Sequence, residues 1–334
     1  MTKRITIADV ARTAGVSMMT VSRVVNNKDG VSQETRQQIQ EIITKLGYRP
    51  SSIARSLVTQ RTGTIGLVVP DIANPYFSGI AHGVAEIAHA EGFSVLLCDT
   101  EEDPERELDL LEVLEEKRVD GVLVGSPRQS TKVLLPLLKR YPNAVLINRL
   151  FDAKTAEIGF VLNDDRKGGY LATRHLITAG HSAIGFLTGP KGSYGSKKRL
   201  EGFRQAHTEA GMEVNPNLLT TCSPTVEGGH QSVLQLLEAN PGLTALLCFN
   251  DMVAIGALQA CIALGKKVPA DLAIVGYDDI PMASWVNPPL TTMRIPFEEM
   301  GRLATQLLIN LLLECSENCD NVILEPELIV RASA

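Results

Sequence analysis

Ser22, Arg23 and Asn26 stand close to a Met18–Met19 pair in the stretch SMMTVSRVVNN, Ser17 to Asn27. These residue types can read a nucleic acid. Arginine pairs with guanine, Asn and Ser reach base edges or phosphate oxygens, and a methionine offers apolar contact to a thymine methyl. At about 100° per helical residue, Val21, Val24 and Val25 fall on one face. Met19, Ser22, Arg23 and Asn26 fall together on another, with Met18 near the boundary. The valines can pack inward while the second face meets a DNA groove or simply solvent.

Three short helices are predicted to hold that face. Thr6 can cap the segment IADVARTA, with Asp9 three residues on, and GV at 15–16 breaks the segment. Ser17 can cap the next helix. Ser32 can cap QETRQQIQEIITKLG, which repeats Ile39, Ile42, Ile43 and Leu46 at helical spacing and stops at Gly47. Helix, AGVS turn, helix is a helix-turn-helix arrangement. The segment YRPSSIARSLVTQRTGT that follows reads as a polar linker with room for one short helix, 51–57.

Charge sets this head apart. Residues 1–61 carry ten Lys/Arg against four Asp/Glu, whereas the remainder carries 22 against 34, so a head of +6 sits on a body of −12. A basic head on an acidic body is expected where one small domain meets a polyanion. The chain of 334 residues is 44% hydrophobic but only 4% aromatic, enough for two or three cores built of aliphatic side chains. No apolar run approaches the roughly 18–20 residues of a membrane span, and MTKRITIADV turns polar too soon for a secretory signal. A cytoplasmic, nucleoid-associated protein without a membrane partner is expected.

From residue 64 the pattern alternates. Strands are predicted at 64–70, 94–99, 121–126, 144–148, 158–164, 183–189, 245–251 and 272–279. Helices are predicted at 77–91, 104–117, 130–140, 166–179, 197–210, 227–239, 251–264 and 296–313. Continuous apolar strands joined by helices imply parallel sheets covered on both faces. The strands are too many for one ordinary sheet, so two halves breaking near 160–163 are expected, with a ligand cleft at the carboxyl ends of the strands.

Catalytic templates fail. GxSxG and HExxH are absent, and GPKGSYGSKK at 189–198 misses the register of a phosphate loop. His82 and His89, seven apart, read as surface or interface residues. The cysteines Cys98, Cys222, Cys248, Cys261, Cys315 and Cys319 form no CxxC pair. No enzyme activity, cofactor or metal is expected.

The head and the ordered motifs beyond it resemble the LacI/GalR family of bacterial regulators. The matching residues are TIADVARTAGVSMMTVSRVVNN, VSQETRQQIQEIITKLGYRPSSIARSL, NPYFSGIAHGVAEIAHAEGF, KRVDGVLV, RLEGFRQA, FNDMVAIGAL, VPADLAIVGYDDIPMAS and PPLTTMRIP. The resemblance implies an all-α helix-turn-helix head, residues 1–48, and a hinge or linker, 49–63. It implies an α/β core, 64–334, of two doubly wound parallel-sheet lobes of periplasmic binding protein type. Lobe one is expected at about 64–161 plus 292–320, and lobe two at about 163–290 plus the C-terminal strand.

It also implies roles. Met18, Met19 and Arg23 take base-contacting positions. Thr20, Ser22, Asn26 and Ser32 take mainly phosphate-contacting ones, with Thr6, Ser17, Ser51 and Arg55 completing the DNA-facing set. SSIARSL resembles a hinge helix that pairs across a dimer in the minor groove, with Ala54 and Leu57 inserted and Leu57 as the wedge. The effector set at strand ends is Asn74, Tyr76, Phe77, Ser126, Asn148, Arg149, Arg199, Asn250, Asp251 and Asp278. Asp251 and Asp278 fit equally as helix caps, Tyr76 as core, Arg149 as a bridge across the cleft, and Asp165 as a cap. The Asn148–Arg149 pair is similar to the Asp–Arg pair of ribose-type binding proteins. A sugar effector is expected, with a purine, a phosphorylated sugar or a sugar acid as alternatives and a sugar-transport protein as the rival class. A homodimer on a palindromic operator is expected, through the stripe Ile80, Val84, Ile87, Ala88. The ending PELIVRASA carries no leucine heptads, which favours a dimer over a tetramer.

Overall fold

Local capping chemistry explains the first three helices of the computed structural model, which describes residues 5–48, 61–151, 158–314 and 320–334. Helix α1 (Ile7–Ala14) begins at Thr6 with a full capping box. The Asp9 amide donates to Thr6 Oγ1, and the Asp9 carboxylate accepts from the Thr6 amide at 3.0 Å. It ends at Gly15, whose φ of 66° is left-handed. Helix α2 (Met18–Val25) starts at Ser17, whose hydroxyl accepts from Thr20 N at 3.1 Å. Helix α3 (Gln33–Leu46) starts at Ser32 in the same way and stops at left-handed Gly47. Each such cap contributes about 1 kcal/mol. Val10, Ala11, Ala14, Val21, Val24 and Ile39 close the small core of this unit, while Val25, Ile42, Ile43 and Leu46 are half-buried around it. Residues 1–62 form one compact unit and 63–334 another.

The second unit holds two six-stranded sheets. In chain order the elements are β1 (Thr64–Val69), α4 (Pro75–Ala90), β2 (Ser94–Asp99), α5 (Pro104–Glu116), β3 (Gly121–Gly125), α6 (Thr131–Leu138), β4 (Ala144–Ile147), β5 (Gly159–Asn163), α7 (Asp165–Thr178), β6 (Ile184–Thr188), α8 (Tyr194–Glu209), β7 (Leu219–Thr221), α9 (Val226–Ala239), β8 (Ala245–Cys248), α10 (Asp251–Ala263), β9 (Ala273–Asp278), β10 (Thr291–Arg294), α11 (Phe297–Leu312), β11 (Val322–Leu324) and β12 (Glu327–Ile329). The first sheet runs β11-β5-β4-β3-β1-β2 and the second β12-β10-β9-β8-β6-β7. Every pairing is parallel except β10 with β12. All eight predicted strands and all eight predicted helices are present, within a few residues.

The lobe boundaries need correction. β10 pairs with β9, so residues 292–294 belong to the second lobe, not the first. β11 pairs with β5, so 322–324 return to the first lobe before β12 closes the second. The chain therefore crosses between lobes three times, after β5, after β10 and after β11. The C-terminal strand expected in lobe two is β12; β7, β10 and β11 were not expected, because strands of three or four residues carry too little alternation to be seen.

The proposed interface stripe is also corrected. Ile80, Val84 and Ala88 are fully buried within the first lobe, where α4 packs on α11. Packing is close enough that glycines are required at the contact. A Cβ on Gly83 would lie 2.1 Å from Glu298 O, and one on Gly301 would lie 2.2 Å from Ile80 O. The second lobe uses the same reciprocal device between α7 and α8. There Gly169 sits against the main chain of Arg199 and Gly202 against Arg166 O. That contact fixes the height of Arg199 over the cleft. No helix among the described residues is long and apolar enough to cross a membrane.

Candidate effector cleft and DNA-reading face

On α2, Met18 and Met19 are exposed, Met19 to 69%, and among the described residues no hydrogen bond or ion pair holds the Arg23 guanidinium. These three side chains are free to meet a groove. Asn26 behaves differently, since its amide nitrogen donates back to Ser22 O at 2.8 Å and to Ser22 Oγ at 3.3 Å. Thr6, Ser17 and Ser32 work as helix caps, and Thr20 Oγ1 shares a 2.9 Å contact with Ser17 Oγ. Arg36 braces the turn after α2 through Asn27 Oδ1 and Lys28 O. Ser51, Ala54, Arg55 and Leu57 lie outside the described residues, as do Cys315 and Cys319.

In the second unit a cleft opens between the carboxyl ends of the two sheets. Eight of the ten predicted effector residues line it: Asn74, Tyr76, Phe77, Ser126, Asn148, Arg199, Asn250 and Asp278. Asn74 caps α4, its side-chain oxygen accepting from Tyr76 N at 3.0 Å, so its place follows from where β1 ends. Tyr76 is both liner and core. It stacks edge-on with Phe77 and Phe297, and its hydroxyl points to Met300 Sδ. Asn250 caps α10 and donates to Pro224 O. Ser126, Asn148 and Asp278 have positive φ, at 45°, 55° and 113°. Non-glycine residues held there cost roughly 1–3 kcal/mol each and concentrate at functional sites. The strain turns each side chain inward as its strand ends.

Arg199 organises the second-lobe wall. Its Nε donates to Asp165 Oδ1 at 2.9 Å, its Nη1 donates to Phe249 O, and its Nη2 lies 4.0 Å from Asp278 Oδ1. The guanidinium lies 3.6 Å from the Tyr277 ring centroid and 4.9 Å from that of Phe249. Burial alone would lower its pKa, but Asp165, Tyr277 and Asp278 more than reverse this, and it stays cationic. Burial pushes the Asp278 carboxyl well above its usual range, with Arg199 opposing. Among the described residues Asn148 Oδ1 and Asp165 Oδ2 are buried acceptors with no hydrogen-bond partner, and both side chains approach Gly195. A buried unpaired acceptor costs about 1–3 kcal/mol, and a ligand hydroxyl would remove that cost.

Two predicted effector residues are elsewhere. Asp251 is fully buried behind the cleft wall, where it accepts from Thr292 Oγ1 at 2.6 Å and from Ile280 N at 2.9 Å. The cap of α10 is Asn250, so Asp251 ties helix to sheet instead of touching the cleft. Arg149 crosses the cleft rim. It donates to Gly192 O of the opposite lobe at 3.1 Å, as well as to Thr131 Oγ1 and Gln129 O. It is a bridge across the lobes, made to a carbonyl and not to an acid. Asp165 does not cap its helix either. Asp164 does so, accepting from Lys167 N, which frees Asp165 for Arg199.

Sequence reasoning missed Glu102, Arg128, Ser193, Gly195, Pro224 and Phe249. Each follows a strand or opens the next helix, so the rule that ligands sit at strand ends covered them, but nothing local distinguished them from other loop residues. Arg128 is held by Glu102 through Nε and Nη2 and by Ser126 O through Nη1, while its main-chain N–H donates to Glu107 Oε2.

Comparison with known proteins agrees with this architecture. Residues 6–51 match the family described as bacterial regulatory proteins, lacI family, and residues 62–331 match periplasmic binding proteins and sugar binding domain of LacI family. The chain is 36% identical over 329 residues to the transcriptional regulator DegA of Bacillus subtilis, covering 98% of this chain and 97% of that one. It is 37% identical over 332 residues to the transcriptional repressor PurR of Haemophilus influenzae, covering 98% of each. A lac repressor dimer bound to operator and the anti-inducer ONPF superposes with a TM-score of 0.89 at 28% identity, over 99% of both chains. With a helix-turn-helix arrangement in one unit and a cleft between two parallel-sheet lobes in the other, the chain belongs to the lacI family of DNA-binding transcriptional regulators.

Proposed function

We propose that this regulator is a repressor of carbohydrate uptake or catabolism genes, and that a neutral monosaccharide in the interlobe cleft sets its operator affinity. The observation that carries this reading is the charge balance of the cleft. Both arginines that line it are already compensated, Arg128 by Glu102 and Arg199 by Asp165. A phosphorylated sugar or a sugar acid would need an uncompensated cation in the lining, and Arg149, the third cation nearby, stands at the rim, outside the lining residues, where Gly192 O, Thr131 Oγ1 and Gln129 O hold it. What is left on offer is amide, hydroxyl and paired ionic groups beside the Phe77 and Phe249 rings, which suits hydroxyls on one face of a ring and C–H bonds on the other.

Operator reading is assigned to Met18, Met19 and Arg23 on α2, the three exposed and uncommitted side chains. A palindromic site would be met by a homodimer. The surface that supports pairing is the edge strand β2 rather than the α4 stripe. Leu96 and Leu97 are exposed there, with Val113 of α5 also open, and an apolar open edge calls for a cover.

The test is fluorescence anisotropy of a labelled upstream palindrome, titrated with protein and then with pentoses, hexoses, sugar phosphates, sugar acids and purines. Salt-sensitive binding that shifts with a neutral sugar, and not with its phosphate or acid, supports the reading. A response confined to an anionic compound or a purine sinks it.

A further inference from the structure

Arg128 and Glu102 are a second buried ion pair in the cleft, on the lobe opposite Arg199. Side-chain exposure is 3% for Arg128 and 21% for Glu102. The pair is built, not incidental. Glu101 and Glu102 both adopt left-handed backbone, φ 53° and 62°, in the turn after β2, and Glu102 N donates to Pro70 O at 2.8 Å. That turn carries the Glu102 carboxylate to the cleft, where Oε2 and Oε1 accept from Arg128 Nε and Nη2. Glu107, the other acid close by, accepts from the Arg128 main-chain N–H and leaves the guanidinium to Glu102. Three of the five guanidinium N–H donors are thus committed, two to Glu102 and one to Ser126 O. The remaining donors can serve a ligand.

We propose that Glu102 is the charge-selectivity residue of the cleft: by neutralising Arg128 it makes that wall a hydrogen-bond donor for neutral polyols and keeps it from holding an anion. This rests on the neutral-ligand reading above and names the residue that enforces it. An arginine without its counter-ion is a ready site for a phosphate or carboxylate oxygen pair. The same arginine locked to a carboxylate presents donors but little net charge. The orientation of Arg128 would survive loss of the charge, because Ser126 O and the Glu107 contact to its main chain also hold it.

The test is calorimetric titration of the full-length protein with inorganic phosphate at low ionic strength, comparing wild type, Glu102→Gln and Glu102→Ala, with thermal melts to establish folding. Either folded variant should bind phosphate at least about tenfold more tightly than wild type, and adding Arg128→Met should remove the gain. No gain in a folded variant, or a gain that persists without Arg128, overturns the assignment. Tight phosphate binding by wild type would overturn it and the neutral-ligand reading together. A gain in the variants alongside a wild type that ignores neutral sugars would support the role of Glu102 while rejecting that reading.

Discussion

Asp278 and Asp251 are both buried carboxyls near the cleft, and their surroundings give them different work. Among the described residues no hydrogen bond holds the Asp278 carboxyl, its nearest charged partner being Arg199 Nη2 at 4.0 Å. If the carboxyl serves ligand as proposed, Asp278→Asn removes an acceptor from the cleft and little that holds the fold. It should weaken effector binding about 10- to 100-fold in a calorimetric titration, with the melting temperature held or raised. A lowered melting temperature with unchanged affinity would contradict this role. Asp251 is bound on both oxygens, yet burial pushes its carboxyl up to about 7 from an ordinary 3.8, with Thr292 and Ile280 opposing. The folded state thus holds a proton that the unfolded state releases. This contribution to stability is fully present below about pH 4 and is lost as pH rises to about 7, at up to about 1.4 kcal/mol per unit. Asp251→Asn should flatten that part of the urea-midpoint profile, since an amide can still accept from Ile280 N and donate to Thr292 Oγ1. An unchanged slope would place the pH dependence elsewhere.

At the scale of elements, the cleft rim is latched where the turn before α8 meets the loop after β3. Arg149 reaches Gly192 O, and Gly192 itself lies so close to Arg128 O that a Cβ would sit 2.5 Å away, at a φ of +92°. The two lobes therefore touch at this rim through main-chain and arginine contacts that any opening of the cleft would have to break. Arg149→Ala should shift the lobe equilibrium toward open by about 1 kcal/mol, raising the effector concentration needed for half response about fivefold. Gly192→Ala should have the larger effect, since it blocks the closed geometry sterically. Small-angle scattering with and without effector checks both, and equal closure in wild type and Gly192→Ala would dismiss the latch.

For the molecule as a whole, the chain crosses between the lobes three times, a connection about which each sheet would turn as a body in a hinge motion. A dimer built over the β2 edge would couple that movement to the spacing of two DNA-binding heads. Leu97→Lys places a charge on the exposed edge and should weaken self-association by at least about 2 kcal/mol, roughly thirtyfold. Sedimentation equilibrium reads this directly. Dissociation unaltered by the substitution would move the interface away from β2.

Much of this protein was legible in the linear chain because its signals are local. Thr6, Ser17, Ser32 and Gly47 announce helix ends through hydrogen bonds that span three or four residues, and the head's +6 needs only counting. The apolar runs of β1, β3, β4, β8 and β9 are continuous because both sheet faces are covered, so strand ends, and with them eight of the cleft residues, could be located. What tertiary structure alone decided were pairings between residues distant in sequence. Arg128 finds Glu102 from 26 residues away, Arg199 finds Asp165 from 34, and Arg149 finds Gly192 from 43. By itself the α4 stripe reads as a partner surface, and only packing assigns it to α11, which lies more than 200 residues further along the chain. Residue type determines which contacts are chemically available, but charge compensation in a cleft depends on which side chains converge there, and that is a property of the folded chain.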